Sequence, residues 1–199
     1  MVDEEQVKSE IIEVAKGLIQ QFGINKVTMK DIAQAAGKGK STLYYYFKNK
    51  EEILDAVIED EMHQFYSSSE KAVQNETGFE NKLRTYINTK VKTIEIKLKN
   101  YAFLIEVDHH YFDFRNYFTR ASLLFNDREK VLIESILKCG VQTGKIDPDK
   151  VHGKDGFEMA EILLIAIRGL EMEVFLKKKI ENIETKTDMM IEILLNGLK

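Results

Sequence analysis

The chain has 199 residues, 44% hydrophobic and 31% charged with both signs spread along it, a balance that supports a soluble globular fold with a sizeable core and excludes disorder. No run approaches the roughly 18 uncharged apolar residues that a bilayer crossing needs, and Asp3, Glu4 and Glu5 stand where a signal peptide would be basic, so no membrane partner and a cytoplasmic location are expected. Cys139 is the only cysteine, which excludes an internal disulfide or a multi-cysteine zinc site and leaves it as a small core residue.

Helical periodicity runs from end to end, and no alternating β-branched run is long enough for a sheet, so the expected class is all-α with about nine helices. A first helix carries Ile11, Ile12, Ala15, Leu18, Ile19 and Phe22 on one side and stops at Gly23. Thr28 and Asp31 have the spacing of a capping box and open a second helix through Ile32, Ala33 and Ala36 that ends at Gly37. A short third helix fits Lys40 to Tyr46. Asn49 with Glu52 then caps a long fourth, with Ile53, Leu54, Val57, Ile58, Met62, Phe65 and Tyr66 recurring every three or four residues. Further helices are expected from Phe79 to about Leu98, from Asp127 to about Thr143, from about Asp155 to Lys178 and from about Ile183 to Leu198. An aromatic-rich stretch lies between Tyr101 and Phe125, and a loop surrounds Pro148.

The net charge of -4 argues against nucleic acid only as an average. Between Asn25 and Lys50 stand Lys26, Lys30, Lys38, Lys40, Lys48 and Lys50 against the single acid Asp31, a local excess that attracts phosphates or simply forms a solvated basic face. The second helix, a tight turn at Ala36-Gly37-Lys38 and the short third helix have the proportions of a helix-turn-helix. In that third helix Lys40, Ser41, Thr42, Tyr44 and Tyr45 are free to face outward, while Leu43 and Phe47 anchor it inward.

The run Thr28-Met29-Lys30-Asp31-Ile32-Ala33-Gln34-Ala35-Ala36-Gly37, followed by Lys40-Ser41-Thr42-Leu43-Tyr44-Tyr45-Tyr46-Phe47-Lys48-Asn49-Lys50-Glu51, resembles the signature of the TetR family over about 45 N-terminal residues. The resemblance implies a helix-turn-helix DNA-binding domain over 1–50 and a larger helical effector-binding and dimerisation domain over 51–199. It implies further that Lys40, Ser41, Thr42, Tyr44 and Tyr45 face DNA, with Tyr46 and Lys50 suited to backbone phosphates and Thr28 near a phosphate at the start of its helix. Plain packing is the alternative for each tyrosine, most of all for Tyr46 beside Phe47. The chain departs from the family in the turn, with Lys38 where an apolar residue is usual and Gly39 where a serine or threonine caps the third helix.

Further along, the family implies a homodimer through the two C-terminal helices, an operator of double-stranded palindromic DNA, and repression relieved by a small effector. Tyr86, Phe103, Tyr111, Phe112, Phe114, Tyr117, Phe118 and Phe125 either fill the core or line a cavity for a bulky, largely apolar molecule. Tyr86, Phe103, Tyr111, Phe114, Tyr117 and Phe118 are the pocket candidates. Glu106 with His109 and His110, and Asp60 with His63, have one-face helical spacing that could hold a metal, but no cysteine set or third histidine cluster supports them, so no metal, cofactor or catalytic residue is expected. A helical metal-dependent enzyme, and a ligand-binding protein that has lost DNA binding, are the competing classes.

Overall fold

The computed structural model describes residues 4–23, 25–100, 110–151, 157–177 and 182–198. Within them the chain is all-helical: α1 (Glu4–Phe22), α2 (Met29–Ala35), α3 (Lys40–Tyr46), α4 (Lys50–Asn75), α5 (Phe79–Asn100), α6 (His110–Gln142), α7 (Phe157–Lys177) and α8 (Ile183–Leu198), with a 3₁₀ turn at Pro148–Lys150. The described helices thus number eight rather than about nine, because the later part of the aromatic-rich stretch and the helix expected from Asp127 are one element. Asn126 and Asp127 read in sequence as a break, since short polar side chains bond their own backbone and favour caps. In the fold the Asn126 carboxamide oxygen instead accepts from Arg168 Nη2 at 2.9 Å, and the helix continues through it.

The chain forms two compact units, Met1–His63 with Leu98–Leu124 and Gln64–Lys97 with Phe125–Lys199. In the first, Val7, Ile11, Ala15 and Ile19 recur every fourth residue and form the buried face of α1. Ile32 and Ala33 of α2, Leu43 of α3, Ile53, Val57 and Ile58 of α4 and Ala121 of α6 complete that core. Ion pairs bind its rim, from Lys16 to Asp60 at 3.3 Å and from Arg120 to Asp55.

The second unit buries Leu83, Tyr86, Ile87 and Val91 of α5, Leu132, Ile133, Ile136 and Leu137 of α6 and Leu163, Leu164 and Ile167 of α7. Arg84 Nε reaches Asp188 Oδ1 at 2.6 Å and ties α5 to α8. Gly140 allows α6 to approach its neighbours: a Cβ there would lie 2.5 Å from Ile146 Cδ1 and 3.1 Å from Phe79 Cδ2. Among the described residues no helix is long and apolar enough to cross a membrane.

Candidate nucleic-acid interface

The helix-turn-helix is set by its caps. Thr28 Oγ1 accepts from Asp31 N at 3.3 Å while the Asp31 carboxylate accepts from Thr28 N at 3.0 Å, the reciprocal capping box expected from the sequence. The Thr28 hydroxyl also donates to Asp31 Oδ2 at 2.6 Å. These bonds, the hydroxyl first, hold the Asp31 carboxyl below its ordinary value. Thr28 therefore commits its proton to the cap, and the first turn of α2 already carries a negative charge.

The other end of α2 closes as a Schellman turn. Gly37 adopts φ +62, a left-handed conformation that costs other residues energy, so that Lys38 N bonds Ala33 O at 2.9 Å and Gly37 N bonds Gln34 O at 3.1 Å. Lys38 falls at the position of this motif where an apolar contact is usual. Its side chain is 25% exposed, and its ammonium lies 3.0 Å from Glu10 Oε2 of α1, so the charge stays at the surface while the stem is largely covered. This is the physical account of one departure from the family pattern. The other departure has a visible consequence: Gly39 starts α3 with no side-chain cap bond.

α3 sorts its seven residues by face. Leu43 is 0% exposed and Phe47, just past its end, 3%, whereas Tyr44 is 52% and Tyr45 70% exposed. Lys40 and Ser41 are exposed as well, and Thr42, Tyr46 and Lys50 are half-buried. Lys40, Ser41, Tyr44 and Tyr45 therefore form one outward stripe at helical spacing. Tyr46 rests partly on the core, with its ring edge-on to Tyr45 at 5.0 Å, so packing accounts for much of its position. An α-helix with its side chains is about 10–12 Å across, a size that a major groove about 12 Å wide admits. Downstream, Asn49 Oδ1 accepts from Glu52 N at 2.8 Å and the Glu52 carboxylate accepts from Lys48 N at 2.8 Å, which fixes the chain between α3 and α4.

Of the pocket candidates, Phe103 and the side chains of Tyr111, Phe114, Tyr117 and Phe118 lie outside the described residues, as do Glu106, His109 and the side chain of His110. Tyr86 is fully buried, and it belongs to a polar cluster that the sequence did not reveal. Its hydroxyl donates to Glu129 Oε1 at 2.9 Å. Lys90 Nζ lies 2.6 Å from Glu129 and 3.3 Å from Glu171, and Arg168 Nη2 lies 3.3 Å from Glu129. Burial pushes the Glu129 carboxyl up, but the Lys90 charge and the bonds from Lys90 and Tyr86 outweigh it and hold it below the ordinary glutamate value. For Glu171 burial wins over Lys90, and the carboxyl is raised. Burial pushes Lys90 down, yet the two carboxylates leave it above its ordinary value.

The signal for this cluster was present but faint, because Lys90, Glu129 and Glu171 each interrupt an apolar helix face. Of the pair Asp60 and His63, Asp60 lies 3.3 Å from Lys16 Nζ, and His63 Nε2 lies 3.9 Å from Glu59. Among the described residues no group of three or more potential metal ligands forms.

Comparison with known proteins agrees with this geometry. Residues 11–57 match the family described as bacterial regulatory proteins, tetR family. The chain is 33% identical over 79 residues to the fatty acid metabolism regulator protein of Bacillus subtilis, a match covering 40% of this chain and 41% of that protein. It is 26% identical over 143 residues to the transcriptional repressor KstR2 of Rhodococcus jostii, covering 71% and 69%. The fold resembles that of the fatty acid degradation regulator FadR from Bacillus halodurans, with a TM-score of 0.67, 19% identity and 94% of each chain covered. It also resembles FadR from Bacillus subtilis, with a TM-score of 0.64, 20% identity and 96% and 99% covered. Residues 11–57 therefore carry a DNA-binding domain of the tetR family, the chain is similar over parts of its length to transcriptional regulators, and its fold is the one that the FadR structures share.

Proposed function

We propose that the chain is a dimeric repressor that binds a palindromic operator through α3 and is released by a small, largely apolar effector, acting in the cytoplasm. The observation that carries this reading is the sorting of α3: Leu43 and Phe47 are buried, while Tyr44 and Tyr45 are more than half exposed. A structural helix of two turns would gain nothing by presenting two tyrosines to water. A helix that meets a duplex uses their hydroxyls, with Lys40 and Ser41, on phosphates and base edges. Thr42, Tyr46 and Lys50 are the flanking contacts of the proposed site, whereas Thr28 gives both its hydroxyl and amide protons to Asp31 and has none left for a phosphate. In a gel shift, Lys40→Ala and Tyr45→Ala should each weaken operator binding. Unchanged affinity in both, with folding intact, would refute the reading.

Residues 1–50 then read DNA, and residues 51–199 hold the effector and the dimer interface. The Bacillus subtilis FadR structure is a complex with stearoyl-CoA, and a long acyl thioester is the effector class we propose here. Tyr86, Phe103, Tyr111, Phe114, Tyr117 and Phe118 are the proposed lining. An effector acts by binding one arrangement better than another, and α4, a single 26-residue helix that contributes to both compact units, is the proposed lever. Dimerisation through α7 and α8 is favoured by exposed apolar residues on both: Ile162 and Ile165 on α7, and Met189 and Ile193 on α8. Water-exposed side chains of that kind mark surfaces that a partner covers.

A further inference from the structure

Two outward groups around α3 are already held by acids of α1. Lys38 Nζ lies 3.0 Å from Glu10 Oε2, and the Tyr45 hydroxyl donates to Glu4 Oε1 at 3.1 Å. Neither acid is buried: the Glu10 side chain is 48% exposed and Glu4 is exposed too. Counting charges between Asn25 and Lys50 misses both acids, because α1 brings them to this surface from 28 and 41 residues away (38 − 10 and 45 − 4).

We propose that Glu4 and Glu10 are affinity-limiting residues of the DNA-reading surface, competing with duplex phosphates for the Tyr45 hydroxyl and the Lys38 ammonium. This rests on the reading of α3 given above. A phosphate is an acceptor only, and the tyrosine hydroxyl has one proton to give, so the Glu4 carboxylate and a phosphate cannot both receive it. The hydrogen bond to Glu4 also holds the Tyr45 hydroxyl above its ordinary value, which keeps that proton in place. An ammonium paired at 3.0 Å presents little net charge to an approaching phosphate, and the carboxylate beside it repels that phosphate within the Debye length of about 8 Å.

Phosphate contacts act on every sequence alike, whereas base-edge contacts do not. Restraining the phosphate contribution therefore lowers binding to arbitrary duplex more than it lowers discrimination. In this arrangement α1 sets how much of the affinity is indifferent to sequence.

The test uses the full-length protein and a fluorescent duplex of random sequence, with anisotropy read between about 50 and 200 mM salt and thermal melts as folding controls. Glu10→Gln should bind up to about five-fold tighter per reading head, with the slope of log K against log salt steeper by about 0.9 per head. Adding Lys38→Met should remove that gain. Glu4→Gln should also bind more tightly, and adding Tyr45→Phe should remove its gain. Unchanged or weaker binding in both single variants overturns the proposal, as does a gain that survives loss of Lys38 or Tyr45, since the effect would then be bulk acidity. A wild-type protein whose duplex binding does not depend on salt overturns the reading of the interface itself, and the proposal with it.

Discussion

Lys90→Met tests whether the buried cluster of the second unit holds that unit together. The Lys90 ammonium sits 2.6 Å from Glu129 and 3.3 Å from Glu171, with all three side chains under 10% exposed. At an effective dielectric of about 20, these contacts correspond to gross attractions of about 6 and 5 kcal/mol. Withdrawing the three ions from water offsets most of that, at several kcal/mol per ion, so the intact cluster contributes little net.

Removing the cation is different, because two carboxylates stay buried, with Arg168 and the Tyr86 hydroxyl left to compensate Glu129 alone. Methionine keeps the volume, so the cavity contribution is small. The expected loss is about 3–5 kcal/mol at neutral pH, a large part of the roughly 5–15 kcal/mol that holds a domain folded. Urea unfolding followed by circular dichroism at neutral and mildly acid pH reads it.

The sign of the pH dependence follows from the carboxyls. In the wild type the lowered Glu129 contributes stability above the ordinary value of 4.5, which is lost as pH falls through its folded value. The raised Glu171 does the reverse: its contribution is present below 4.5 and lost as pH rises through its folded value. Without Lys90 both carboxyls move up, so the deficit of the variant should grow from acid toward neutral pH. Adding Glu171→Leu should recover part of it. A loss below about 1 kcal/mol, or one that is the same at both pH values, would refute the reasoning.

Three further perturbations have defined outcomes. Leu43→Ala removes the fully buried anchor of α3 and should cost about 2–5 kcal/mol, read as a lower unfolding midpoint, with duplex binding lost in step. Gly140→Ala gains about 1 kcal/mol of helix propensity but drives a methyl to within 2.8 Å of Ile146 Cγ1. Overpacking of about 1–3 kcal/mol should win, so a more stable variant would contradict the packing described. Ile165→Glu with Ile193→Glu, placed where the wild-type side chains are 62% and 70% exposed, should leave monomer stability within about 0.5 kcal/mol. The same pair should shift sedimentation from dimer to monomer, and an unshifted dimer would move the interface elsewhere.

What was legible in the sequence was local. The Thr28–Asp31 box, the turn at Gly37 and the Asn49 cap depend on residues within four or five positions of one another, and each formed as its spacing indicated. The split of α3 into buried Leu43 and Phe47 against exposed Tyr44 and Tyr45 follows from helical period alone. What escaped depends on distant partners. Lys90 and Glu129 are 39 residues apart, and nothing near either one reveals the other. Asn126 continues a helix because Arg168, 42 residues on, takes up its side chain. Lys38 reads in sequence as a departure from the family pattern in the turn, and its partner Glu10 stands 28 residues earlier, on α1.

In the proposed complex α3, presented twice by a symmetric pair, reads a duplex. Sequencing the fragments that the purified full-length protein selects from a random duplex pool tests it most directly. An inverted repeat is expected, with half-sites centred about 34 Å apart, one helical turn, or a small multiple of that spacing. Recovery of sequences with no shared motif, or of a motif still selected after Lys40→Ala with Tyr45→Ala, would contradict it.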